Sequence, residues 1–337
     1  MIIRSRSPVR IGLGGGGTDV SPYTEEYGGA VLNVTINKYA WGSLEFTDDK
    51  QVHMHSHDFN KTISLNNLAD IKLDGDLDLL KLGVKRLYHG TKGLQLFLRS
   101  DVPPRSGLGG SAAAFVAVVG LFNAIKNGSD KLNPYEIAEL AYEMERKDMG
   151  IHGGRQDQYA TVFGGMNFME FKGNDFVRVT PVKLKQDYLL ELEKNLVLCR
   201  VNIPRPTDDV LTDQKKNVSE GKSLENMHQT KQIAYDMHSA LLRGDLNRFG
   251  ELLHEGWLQK KQFSSLISNP HIDNLYDSAR KAGAIGGKIS GAGGGGHMIF
   301  YCAPNSEMAV RKSLQENGAT PVDFSFEHSG MQTWEVN

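Results

Sequence analysis

Residues 103–126 read "PPRSGLGGSAAAFVAVVGLFNAIK", and the fold turns on how this stretch divides. From Gly110 on, alanine and bulky apolar residues occupy nearly every position, leaving no polar face for water. Such a segment is a helix buried on all sides, near the centre of a domain. Gly107, Gly109 and Gly110 sit where a loop empties directly into it. Glycines there let successive backbone N–H groups turn toward an anion, and the unpaired N–H groups of the first helical turn add their dipole. Arg105, Ser106, Gly107, Leu108, Gly109, Gly110, Ser111 and Ala112 together form a candidate phosphate cradle. Ser111 is placed either to cap the helix or to reach a magnesium ion. The loop is not a Walker A sequence, for at "GKS" (221–223) Lys216 stands where the first glycine is required.

Two further stretches are as rich in glycine: "GLGGGGTD" at 12–19 and "GKISGAGGGGHMIF" at 287–300. All three contain G-x-G-x-x-G or a near variant. A dinucleotide fold also needs a parallel βαβ unit and an acidic residue about twenty positions on. After Gly17 only a short helical piece follows, so that reading fails. Glycine this dense costs backbone entropy and adds no packing, which points to close approach of a ligand.

Composition bounds the rest. A chain of 337 residues, 39% hydrophobic, is long enough for two domains with real cores. A net charge of −2 and no polybasic block argue against nucleic acid as a partner. "MIIRSRSPVR" lacks the apolar core of a signal peptide, and no run of eighteen apolar residues suggests a membrane span. Cys199 and Cys302 each lie in an apolar, strand-like run and read as buried reduced thiols. A cytoplasmic protein is expected, its oligomeric state open.

Strand and helix patterns mix without repeats. "MIIRSRSPVRIG" and "AVLNVTINKYAWGSLEF" alternate as strands around a short helix, "SPYTEEY", stopped by Gly28 and Gly29. Asn133 and Pro134 open a helix as N-cap and first residue. Strands return between 164 and 203. The polar stretch 205–223 is expected to be a mobile segment near the site, and 224–262 a helix, a turn at Gly244-Asp245, and a helix. A domain boundary is placed near residue 185, giving 1–185 and 186–337.

Taken together, "RIGLGGGGTD", "PPRSGLGGSA" and "GAGGGG", in that order along the chain, resemble the GHMP kinases, a superfamily of sugar and mevalonate kinases. The resemblance runs from about residue 2 to 325. It implies an α+β fold of two domains: an N-terminal one with a left-handed βαβ crossover, and a ferredoxin-like C-terminal one closing the cleft. Within the superfamily, "RIGLGGGGTDVSPYTEEYGGAVLNVTINKYA" is most similar to the kinases of D-glycero-D-manno-heptose 7-phosphate, which phosphorylate the anomeric hydroxyl on the way to GDP-heptose. The alternatives are a kinase for another sugar such as fucose, or a catalytically silent sugar sensor.

The resemblance also assigns residues. ATP would lie along the loop at 103–113, with Gly291, Gly293 and Gly294 in a supporting turn near its phosphates. Asp157 matches the catalytic base, and Arg10 the basic residue beside it. Ser111 and Glu145 match the magnesium ligands, although Glu143 takes the role of Glu145 if the register is off by two. Galactokinases place Glu and His where Gly16 and Gly17 stand, so a different substrate rim is implied, while Thr18 and Asp19 keep its polar end. Asp19 would accept hydrogen bonds from two neighbouring sugar hydroxyls. Read by itself, Asp19 is equally a turn residue, and Arg10 a strand-edge arginine. For the phosphate of a sugar phosphate, Arg155, Lys38, Arg205 and Lys215 are unranked candidates. His53, His55 and His57 share a spacing that suggests a metal, but no carboxylates accompany them and a hairpin face explains them better.

Overall fold

Two long strands carry the N-terminal half. β1 (Ile2–Gly14) alternates buried and partly exposed residues up to Arg6 and is buried throughout from Ser7 onward. After the short helix α1 (Tyr23–Tyr27), β2 (Gly29–Thr47) runs antiparallel to it over nearly its whole length. This computed structural model describes residues 1–203 and 207–336. β3 (Val52–Ser56) and β4 (Lys61–Leu65) form a hairpin, α2 (Asp78–Leu87) crosses over, and β5 (Gly93–Ser100) inserts between β2 and β3, parallel to the latter.

The buried helix is present as read: α3 (Gly110–Ala124) buries every side chain from Ala112 to Asn123 and packs on β1 and β2. α4 (Pro134–Tyr142) starts at a complete capping box between Asn133 and Glu136, then continues as one π-helical turn over Glu143–Asp148. α5 (Gln156–Phe163) packs against α3 and β1. β6 (Met166–Lys172) pairs with the opening half of β2, and β7 (Phe176–Pro181) extends the sheet beyond it.

α6 (Gln186–Asn195) leads straight into β8 (Leu196–Arg200), the first strand of a second sheet. Four helices follow: α7 (Thr207–Ser219), α8 (Leu224–Arg243), α9 (Leu246–Lys261) and α10 (Pro270–Lys281). Then come β9 (Ala284–Ile289), β10 (His297–Cys302), α11 (Glu307–Glu316) and β11 (Thr320–Val322). The strands are antiparallel in the order β11-β8-β10-β9. With helices after the first and third strands this is the ferredoxin-like β-α-β-β-α-β arrangement. A last strand, β12 (Gln332–Val336), returns to the first sheet and lies on the free edge of β1.

The polar stretch after residue 203 corrects the expectation of a mobile segment. From Thr207 it is helical, anchored by buried Val210 and Gln214, and by Asn217 Nδ2 donating to the carbonyl of Phe263 at 2.9 Å. Those anchors recur every three or four residues, a stripe too sparse to stand out in a charged sequence. Cys199 and Cys302 are free and buried, their thiols pushed up to about 12 by burial.

Candidate active site

β1 and the glycine loop before α3 are tied together by the amide of Arg10, which donates to the carbonyl of Leu108 at 2.9 Å. Gly109 makes the turn into α3 with φ 76°, and a Cβ there would lie 3.5 Å from both Arg10 Cγ and Asp157 Cγ. The loop is pressed from the other side by the third glycine stretch. Ser290 Oγ donates to the carbonyl of Gly107 at 3.0 Å, and a Cβ on Gly291 would come within 2.9 Å of the Gly107 backbone. Gly293 packs instead against Ile267, whose carbonyl accepts from the amide of Gly294.

Beneath the loop Arg10, 4% exposed, is not a strand-edge residue. Its Nε and Nη2 reach one oxygen of Asp157, Oδ1, at 2.7 and 2.6 Å, and its Nη1 donates to the carbonyl of Gly107 at 2.7 Å. Asp157 lies in the first turn of α5. The π-helical turn after α4 directs Glu145 inward, where it is almost fully buried. Its Oε2 accepts from Gln158 Nε2 at 2.6 Å, and the Ser111 side chain lies near enough to favour the ionised carboxylate. Burial pushes the Glu145 pKa up, against the pull of Arg146, whose Nη1 is 3.4 Å away. Glu143 points elsewhere, to Arg86 at 2.9 Å and Lys147 at 3.1 Å on the surface. The structure thus brings Ser111 to Glu145 and not to Glu143.

Ligand approach explains only part of the first glycine run. A Cβ on Gly14 would sit 2.6 Å from Met237 Sδ, one on Gly15 would overlap the carbonyl of Ala30, and one on Gly17 would meet Phe263 at 3.1 Å. Gly16 is different: around a Cβ there, the nearest atoms are Lys260 Nζ at 3.8 Å, then Gln156 Nε2 and Lys288 Nζ at 4.0 Å. Thr18 turns inward. Its hydroxyl donates to the carbonyl of Gly15 at 2.8 Å, lies 3.1 Å from that of Ala30, and accepts from the amide of Ala30, so it is spent on holding the loop. Asp19 is buried beside it, accepting from Gln156 Nε2 at 2.9 Å and from the Gln156 amide at 3.2 Å. Burial raises its pKa, and the charge of Asp157 raises it further.

Two residues escaped the sequence reading: Lys260, at the end of α9, and Lys288, in β9. Both are buried next to Gly16. Of the phosphate candidates, Arg155 is engaged by Glu139 at 3.2 and 3.3 Å, Lys38 lies in β2 and Lys215 in α7. Arg205 lies outside the described residues. His53 and His55 bond Ser64 and Thr62 across the β3–β4 hairpin, and among the described residues no cluster of three or more His, Cys, Asp or Glu is arranged to hold a metal. No described helix is long and apolar enough to cross a membrane.

A glycine-rich loop opening a buried helix, a carboxylate–arginine pair under it, and a ferredoxin-like unit pressed on both form an arrangement that fits a small-molecule kinase. Two family models match: the GHMP kinases N terminal domain over residues 65–165 and the GHMP kinases C terminal over 237–320. The chain is 40% identical to the D-glycero-alpha-D-manno-heptose 7-phosphate kinase of Campylobacter jejuni, with 99% of each chain covered. The structure matches that of a D-glycero-D-manno-heptose 1-phosphate kinase from Bacteroides thetaiotaomicron at 35% identity and TM-score 0.84, covering 99% of both. In fold it also matches the Lactococcus lactis galactokinase, at 23% identity, TM-score 0.79, and 98% and 95% coverage. The chain belongs to the GHMP kinase family.

Proposed function

We propose that this kinase transfers the γ-phosphoryl group of ATP to the anomeric C1 hydroxyl of D-glycero-α-D-manno-heptose 7-phosphate, giving the 1,7-bisphosphate used toward GDP-heptose. The full-length likeness to a kinase of that name supports the substrate. The Arg10–Asp157 pair under the Gly107–Gly109 loop carries the reaction type.

Phosphoryl transfer asks the protein for positioning and charge neutralisation more than for covalent chemistry. Residues 105–112 cradle the ATP phosphates on backbone N–H groups and the α3 N-terminus. Arg10 occupies Asp157 Oδ1 from one side, so Oδ2 is the oxygen left to take the proton of the attacking hydroxyl. An anomeric hydroxyl is more acidic than a primary alcohol, so a carboxylate is base enough. Asp19 fixes the ring hydroxyls, Gly16 leaves the substrate room, Gly17 packs on Phe263, and Thr18 holds the loop that presents Asp19. The paired hard oxygens of Ser111 and the buried Glu145 fit magnesium, the rest of whose shell would be phosphate oxygens and water. Bound there, the ion would offset the charge of the phosphates. We assign residues 1–185 to the ATP-binding domain and 186–337 to the C-terminal domain, and place the enzyme in the cytoplasm.

Proton and phosphorus NMR of the product tests the reading: the new phosphate couples to H1 with an α-type coupling. Phosphate on another carbon, or free sugars such as fucose turned over as fast as heptose 7-phosphate, defeats the substrate assignment and leaves the kinase intact. No ATP consumption with any sugar in a panel would favour a sensor.

A further inference from the structure

The far side of Gly16 is a small cavity in which Thr230, Lys260 and Lys288 face the glycine run, with Leu13, Ile233 and Met237 as its apolar wall. Its donors come from three separate elements of the C-terminal unit: Thr230 from α8, Lys260 from α9 and Lys288 from β9. All three are deeply buried, at 3%, 4% and 6% exposure. The Thr230 hydroxyl lines the cavity and is fully buried with no hydrogen-bond partner. A buried hydroxyl left unbonded costs free energy, and so do two ammonium groups brought to the same spot in a low-dielectric interior. Burial, with Lys260 and Arg10 nearby, drives the Lys288 pKa well below the ordinary lysine value, against the pull of Asp19. Two lysine side chains and an unbonded hydroxyl around one spot fit one kind of occupant, a compact anion with several acceptor oxygens.

The order of groups along the cleft says which anion. The ATP cradle lies at Gly107–Gly109, next to Arg10 and Asp157. Asp19 and Gln156 come next, and Gln156 Nε2 bridges to the space at Gly16 where the lysines converge. A sugar ring held by Asp19 with its reacting hydroxyl at Asp157 therefore turns its opposite end toward Gly16. We propose that Lys260, Lys288 and Thr230 form the subsite for the phosphate monoester already on the substrate, the 7-phosphate of the heptose, and that this subsite makes the enzyme choose a sugar phosphate over a free sugar. The proposal rests on the reading of the substrate as a sugar phosphate. It explains the absence of a side chain at Gly16: a glutamate in that position would occupy the cavity and pair with both lysines.

Calorimetric titration of the full chain without ATP tests it, using D-glycero-D-manno-heptose 7-phosphate, the unphosphorylated heptose and inorganic phosphate as ligands. Lys260→Met and Lys288→Met are each expected to weaken heptose 7-phosphate about tenfold or more, and Thr230→Val by less, with the free heptose unchanged. Gly16→Glu meets no backbone, keeps its melting temperature, and loses the sugar phosphate selectively. Unchanged heptose 7-phosphate binding in both lysine variants, or equal weakening of the free sugar, overturns the subsite. If the wild type ignores heptose 7-phosphate but binds inorganic phosphate through Lys260 and Lys288, the substrate reading falls and the subsite stands. Binding of neither by the wild type overturns the subsite.

Discussion

His297 and Ser106, 191 residues apart, meet through a 2.8 Å hydrogen bond from Nδ1 of the ring to the main-chain carbonyl. A carbonyl only accepts, so Nδ1 carries the proton, and the third glycine stretch is latched to the loop that we propose cradles ATP. His297→Ala leaves that carbonyl unbonded in a buried place. A stability loss of about 1–3 kcal/mol and a several-fold rise in the KM for ATP are expected, from denaturant titration and steady-state kinetics. Burial lowers the His297 pKa from its ordinary 6.5. Below that pH the unfolded chain takes up a proton that the folded one resists, so this contribution is complete above 6.5 and lost as pH falls through the folded value. The wild type should lose more stability between pH 7.5 and 5 than the alanine variant does.

Asp157→Asn keeps an oxygen for Arg10 but no basic carboxylate. We expect kcat to fall by about three orders of magnitude or more, with ATP affinity nearly unchanged, because the base acts in the transition state. Retention of more than about a tenth of wild-type kcat would move the base elsewhere.

Ser111→Ala and Glu145→Gln should each raise the magnesium concentration giving half-maximal rate by about tenfold. Glu143→Gln, at a side chain that pairs with Arg86 and Lys147, is the control and should leave it unchanged. The reverse result would transfer the ligand role to Glu143.

Thr18→Val and Asp19→Asn should separate two kinds of effect. Removing the Thr18 hydroxyl orphans the amide of Ala30 and leaves the carbonyl of Gly15 only the Thr18 amide, and should cost about 1–3 kcal/mol of stability with only a small change in sugar KM. Asp19→Asn should raise the sugar KM at least about tenfold. A Thr18→Val enzyme of full stability and poor sugar affinity would return the hydroxyl to the substrate.

The parts legible in the sequence were those whose physics is local. A run of apolar residues on every helical face announces α3, Asn133-Pro134 announces α4, and three glycine stretches in a fixed order point to the superfamily and, through it, to Arg10 and Asp157. What stayed hidden depends on direction or on distant packing. Nothing in "GGTD" says that the Thr18 hydroxyl turns inward, because that is decided by the carbonyls of Gly15 and Ala30. Lys260 looks like the basic end of an ordinary amphipathic helix and Lys288 like a lysine in a strand; only the folding of α9 and β9 onto the first glycine loop gives them meaning. Glu145 could not be separated from Glu143 by spacing, since a π-helical turn shifts the face by the residue that helical counting omits.

Strand β12 pairs Val336 with Ile2 and Gln332 with Arg6, and its consequence concerns the order in which the molecule is made. The outer edge of β1 at Ile2–Arg6 has no strand neighbour until more than three hundred further residues have been translated. Until then that edge offers unpaired amides and carbonyls to any passing strand. The catalytic sheet is therefore completed last, by a segment synthesised after the whole ferredoxin-like unit. Nascent chains halted before residue 332 should show faster hydrogen exchange at the outer-edge amides of Ile2–Arg6 than released protein, with the β1–β2 ladder already protected.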